Sequence, residues 1–204
     1  MDALKTVPEK THSRRTLGLL QNLVQIISLK DRATLLHSNR VHELTREWAT
    51  YMRSRFEWTE IDSGTLETAA LLHDVGKVGI LDEVLQKPGS LTAEEREHLE
   101  QHSEIGYQMI RDYPGISDIA LGVRHHHERW DGRGYPLGLK ATNIPVQARI
   151  IAIVDAFDAM TSTRPYQSAR SEAEALAEIQ KEAGRQFAPD LAAQFVRFMQ
   201  ARRT

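Results

Sequence analysis

Apolar residues recur along most of this chain at steps of three and four, the spacing that lines one face of an α-helix. Leu19, Leu20, Leu23, Ile26 and Ile27 predict a first helix over about 17–29, and the same Leu/Ile steps would also serve as a dimer seam. Charged and polar residues around 30–34 separate it from a second helix, roughly 34–55. Asp62, Ser63 or Thr65 caps a third, 66–75, which Gly76 stops. Residues 76–91 hold Gly76, Gly79, Gly89 and Pro88 and read as a loop with at most a short turn. Thr92 with Glu95 forms a capping box that opens a fourth helix, 93–112, ended by Pro114 and Gly115. A fifth covers 117–127, and a long Gly- and Pro-rich loop follows. Asn143 with Pro145 starts a helix that runs to about 162. Ser171 with Glu174 is a second capping box, for a helix ending at Gly184. Pro189 opens the last, through Phe195 and Met199. No strand-like alternation and no internal repeat is visible. The fold class predicted is all-α, a compact multi-helix bundle with an additional N-terminal helix. A length of 204 residues suits one domain, 31–204, with an N-terminal helix or linker, 1–30, as a candidate dimerisation element.

Charge narrows the partners. With 26 basic against 28 acidic residues there is no excess of the kind that polymeric nucleic acid requires, although a local cluster of cations suffices for a small anion. The absence of cysteine excludes disulfides and thiolate metal ligands, and is compatible with a reducing cytoplasm. Charges interrupt the first twenty residues, so no signal peptide is expected there, and the longest apolar run, 148–154, is far too short to span a bilayer. A soluble, cytoplasmic protein is the expectation.

Nine histidines give the sequence its chemistry. His73 and Asp74 end an apolar helix, where burying both is costly unless they pair or bind a metal. An isolated His–Asp pair is usually a surface feature; its surroundings matter more. His37 lies beside Leu35 and Leu36. Asp155 sits mid-helix among Ile151, Val154 and Phe157, which favours a ligand role. Asp158, three residues on, is better read as an internal hydrogen-bonding group. His102 lies in the fourth helix. His125, His126 and His127 are consecutive, and since successive helical residues are rotated by about 100°, at most two can face one site.

These motifs together resemble the HD phosphohydrolase superfamily, through His37, the His73–Asp74 pair with Gly76 and Lys77, and Asp155. The stretch RHHHERWDGRGYP (124–136) resembles the HD-GYP branch, as do KPGSLTAEE, QHSEIG, IVDAFDAMTSTRPY and AGRQFAP. The resemblance spans about 30–200. It implies a helical, metal-dependent phosphodiesterase that hydrolyses cyclic di-GMP to linear pGpG or GMP. It also implies two divalent cations, of iron or manganese and in some members nickel. One would be held by His37, His73, Asp74 and Asp155, the other by His102, His126 and His127, with Asp74 bridging. His125 falls at a variable position. A third-metal variant needs a Glu four residues before the first His, where this chain has Ala33. Two such ions, typically about 3.5–4 Å apart, would lower the pKa of a shared water for in-line attack on phosphorus.

Lys77 would stabilise transition-state charge or help protonate the leaving oxygen, or else is an ordinary lysine at a helix end. Arg164 would grip a phosphate with its planar fork. Gln167 stands where the family often has a basic residue, which keeps open another nucleotide substrate. The Gly134-Tyr135-Pro136 loop is implicated in protein partners and in shaping the site, and Trp130 either stacks on a base or anchors that loop. A non-catalytic signalling module, or a scaffold acting through the Tyr135 loop and first helix, are the readings from other classes. Sensor domains often precede this type of domain; about 30 residues do so here, as in a stand-alone enzyme or a fragment.

Overall fold

The computed structural model describes residues 14–56, 62–163 and 169–202. Among them are helices α1 (Arg14–Lys30), α2 (Arg32–Phe56), α3 (Ser63–Leu72), α4 (Asp82–Leu85), α5 (Ala93–Glu100), α6 (His102–Ile110), α7 (Ser117–His125), α8 (Val146–Thr161), α9 (Glu172–Lys181) and α10 (Pro189–Ala201). Tight 3-10 turns occupy Val75–Gly79 and Ala141–Asn143. The described residues form no strand, only one isolated parallel bridge between Ala183 and Phe187. The all-α expectation therefore holds.

At the centre, α3 lies between α2 and α7, and α8 packs on both α2 and α7. Most of α3 is buried, from Ser63 and Thr65 to Leu71 and Leu72, so it lacks the polar face of a surface helix. Outer helices close the core: Phe195 of α10 meets Trp48 of α2 edge to face at 4.9 Å. Asp62 is the cap of α3, accepting from the Thr65 N–H at 2.9 Å. Both capping boxes, Thr92–Glu95 and Ser171–Glu174, form as the sequence predicts.

Several boundaries differ from expectation. The helix predicted over 93–112 is two helices, α5 and α6, meeting at Gln101, whose N–H bonds the His98 carbonyl at 3.3 Å in a tightened turn. The loop predicted over 76–91 contains a 3-10 turn and the short α4. Asn143 belongs to a separate 3-10 turn, and Pro145 caps α8 from outside instead of filling its first position. The candidate dimer seam of α1 faces inward: Leu20, Leu23, Val24 and Ile27 are buried, with α1 packed on α2, α3 and the Val75–Gly79 turn. Among the described side chains of α1, Ile26 and Leu29 are the exposed large apolar ones.

Candidate metal centre

Three histidines occupy the same kind of position, just at or past the C-terminal end of a helix, where backbone carbonyls lack helical partners. His73 Nδ1 donates to the Ala70 carbonyl at 2.8 Å, His102 Nδ1 to Leu99 at 2.7 Å and His126 Nδ1 to Val123 at 2.7 Å. A carbonyl only accepts, so each bond places the proton on Nδ1 and leaves Nε2 as a free donor of electrons. At the break near Gln101 the Leu99 carbonyl thus serves the His102 ring. Asp74 follows His73 with φ −97° and ψ 8°, a bridge-region conformation that turns the chain out of α3 and into the 3-10 turn. Gly76 is required by close approach: a Cβ there would lie 1.9 Å from the His102 carbonyl oxygen.

The fourth histidine is oriented differently. His37 Nδ1 donates to Asp158 Oδ2 at 2.6 Å, and Arg40 grips the same carboxylate through Nε and Nη2 at 2.6 and 2.8 Å. His37 Nε2 then faces Asp155 Oδ1 at 3.0 Å and Asp74 Oδ2 at 3.8 Å. Asp74 is common to two clusters. It groups with His37 and His73, and separately with His102, His126 and His127, each set offering ligand atoms within 4.8 Å of one another. All seven candidate ligands named from the sequence thus converge, Asp155 through its contact with His37. His125 belongs to neither cluster; its Nδ1 lies 3.6 Å from Glu128 Oε1.

The electrostatics suit a cation. Burial first, then the crowding of neighbouring imidazoles, keeps His126 well below the usual imidazole pKa and lowers His127 to about 3, so both are neutral. Burial would raise the Asp74 carboxyl, but Lys77, His73 and His102 hold it well below the ordinary range. Asp155 is held ionised in the same way, burial being outweighed by His37. His102 Nε2 and His126 Nε2 stand 3.3 Å apart with their protons committed elsewhere, so two lone pairs face one another. His73 Nε2 is buried with no hydrogen-bond partner. A divalent cation among these atoms removes both the repulsion and the orphaned acceptor, and nitrogen and oxygen donors of this kind suit zinc, iron, manganese or nickel. The residues present fit such ions.

A cavity of about 520 Å³ opens beside the cluster, lined among others by His126, His127, Tyr135, Arg133 and Asp155. Lys77 reaches Asp74 Oδ2 with its ammonium at 2.6 Å. The 130–140 loop is fixed in place by the buried Glu128, whose carboxylate accepts the N–H groups of Leu137 and Leu139 at 2.8 and 2.9 Å. Gly134 serves close packing more than conformation: a Cβ there would sit 2.4 Å from the His127 carbonyl. The Tyr135 ring consequently lies on His127, centroids 4.8 Å apart. Trp130 is partly buried against the core, 5.9 Å from the Arg149 guanidinium, and so anchors the loop. Arg40 and the bonding role of Glu128 escaped sequence reasoning. The only trace of Arg40 is its position three residues after His37, on the same face of α2. Arg164 and Gln167 lie outside the described residues.

The HD domain family model matches residues 21–191. A cyclic di-GMP phosphodiesterase of Thermotoga maritima is 38% identical over 88% of this chain and 48% of its own length. The cyclic di-GMP phosphodiesterase response regulator RpfG of Xanthomonas campestris is 38% identical over 83% of this chain and 44% of its own. A crystal structure of a cyclic GMP-AMP specific phosphodiesterase from Vibrio cholerae superposes with a TM-score of 0.65 at 21% identity, over 89% of this chain and 49% of that one, a likeness of fold. A helical bundle that gathers His and Asp side chains from several of its helices into one cluster is thus the class, and this chain belongs to the HD domain family. Both curated relatives are named as cyclic di-GMP phosphodiesterases, and the chain spans about half the length of each.

Proposed function

We propose that the chain is a metal-dependent phosphodiesterase that hydrolyses cyclic di-GMP to linear pGpG or GMP. The observation that carries this is Asp74, one buried carboxylate shared by two groups of converging ligand atoms. Relatives named for the same reaction, at 38% identity, support it. His37, His73, Asp74 and Asp155 would hold one divalent cation, and Asp74, His102, His126 and His127 a second, drawn from iron, manganese or nickel. When bound, such ions supply a nucleophile at neutral pH and neutralise phosphoryl charge.

The protein's own groups do the rest. The Nδ1–H bonds to Ala70, Leu99 and Val123 fix three ring orientations before anything binds, so no reorganisation is needed at reaction. Lys77, held at the cluster by Asp74, presents a proton and a positive charge to the leaving 3′ oxygen. Arg164 would grip a phosphate with its planar fork. The Gly134-Tyr135-Pro136 loop, beside the exposed Leu137, is the surface for a protein partner, and α1 offers Ile26 and Leu29 to a second copy. Among the described residues no helix is long and apolar enough to cross a membrane; we place the protein in the cytoplasm.

The test is incubation of anaerobically purified, iron- or manganese-loaded protein with cyclic di-GMP, with products followed by chromatography. Linear dinucleotide or GMP that disappears on chelation is expected. No turnover with metals demonstrably bound overturns the proposal.

A further inference from the structure

The cavity beside the metal cluster contains more charge than the cluster needs. Most of it is already committed. Glu128 is satisfied by two backbone N–H groups, Arg129 by Asp131 at 3.0 Å and by Glu182, and Glu178 by Lys181 at 3.1 Å. Apart from the candidate metal ligands, two charged side chains lining the cavity, Arg133 and Glu100, make no ion pair and no side-chain hydrogen bond with the described residues. Arg133 is fixed only through its backbone, its N–H donating to Asp131 Oδ1 at 3.1 Å. Glu100, the last residue of α5, is half-buried and two positions before His102.

Opposite charges that share a cavity without pairing are positioned for a ligand that offers complementary groups to each. The cavity walls limit its shape. Tyr135, packed on His127, contributes an aromatic wall, while Ala152, Ala156 and Ala159 of α8 present only methyl groups. Aromatic and methyl surfaces of this kind suit the faces of a planar ring. Glu100 also lies near Tyr135: burial first, then the Glu100 charge, pushes the tyrosine hydroxyl above its usual pKa.

We infer that Arg133 and Glu100 read a guanine base of the substrate, Arg133 donating to O6 and N7 and Glu100 accepting from N1–H and the 2-amino group. This rests on the phosphodiesterase reading and adds the residues that select the base. Guanine presents two acceptors on one edge and two donors on the next. Arginine bonds the O6/N7 pair with its fork, and an ionised carboxylate, which only accepts, takes the donor pair. Adenine spoils both contacts: its 6-amino group meets the arginine, leaving N7 alone to accept, and its unprotonated N1 meets the carboxylate with no donor beside it. The pair therefore discriminates by repulsion as well as by attraction.

The experiment compares wild type with Arg133→Ala and Glu100→Gln, all metal-loaded, on three substrates: cyclic di-GMP, cyclic di-AMP and bis(p-nitrophenyl) phosphate, which has no base. The readout is the ratio of kcat/KM for cyclic di-GMP to that for each of the others. Each substitution is expected to lower both ratios roughly ten- to a hundredfold, the discrimination one bidentate base contact provides. Ratios unchanged in both variants, or activities on all three substrates falling in parallel, overturn the inference while leaving the phosphodiesterase intact. A wild type inactive on all three overturns the phosphodiesterase reading and the base assignment with it.

Discussion

His37 is held by Asp158 through a 2.6 Å hydrogen bond from Nδ1, and this bond turns the opposite nitrogen toward Asp155 and Asp74. Arg40 in turn anchors the Asp158 carboxylate from one helical turn along α2. Burial raises the Asp158 pKa, but the bonds from His37 and Arg40 outweigh it and lower the value to about 2, so the anchor stays ionised over the working range. Replacing Asp158 by Ala frees the ring to rotate. Metal affinity should fall about ten- to a hundredfold, as for other carboxylates that orient a ligating histidine. Competition with a chelator measures it, and an unchanged affinity would show that the ring is oriented by something else.

The same histidine sets a pH dependence. Burial alone would lower the His37 pKa. Hydrogen bonds to Asp155 and then Asp158, with the charges of Asp155 and Asp74, raise it instead from 6.5 to about 9. The sign follows from linkage: a raised histidine stabilises the metal-free fold fully below 6.5, and that contribution is lost as pH rises through about 9. A metal on Nε2 must displace this proton. Between those limits metal binding should tighten with pH and release about one proton from His37. Calorimetry in buffers of different ionisation enthalpy reads the proton directly. Uptake without release at pH 7.5 would contradict the assignment of His37 as a ligand.

Lys77 is expected to serve chemistry and not assembly. Lys77→Ala should retain metal and lower kcat by about a hundredfold or more, the range for loss of one general acid or one charge-stabilising donor. Metal analysis alongside steady-state kinetics separates the cases. If metal content falls with the rate, the 2.6 Å contact with Asp74 supports the fold of the cluster and Lys77 has no part in the reaction.

The helical class was legible because apolar steps of three and four, with two true capping boxes at Thr92 and Ser171, dominate the chain. The convergence of His37, His73, Asp74 and His102 was legible only through their joint motif, since each alone resembles an ordinary buried or surface group. What escaped were features that depend on tertiary contacts. The break at Gln101 has no Gly or Pro to announce it, and the bond from the His102 ring to the Leu99 carbonyl beside it is visible only in the folded chain. The inward face of α1 could not be told from a dimer seam, because both require the same spacing of Leu20, Leu23 and Ile27. Nothing in the sequence singles out Glu128 beside Arg129, yet it is buried by the loop that it anchors.

The central claim is that one carboxylate, Asp74, serves two metal positions. Elemental analysis of anaerobically purified wild type and Asp74→Ala, with circular dichroism to confirm folding, tests it most directly. About two metal ions per chain are expected in the wild type, as two-metal hydrolases require, and close to none in a folded Asp74→Ala variant. An Asp74→Ala protein that keeps its full metal complement would contradict the account.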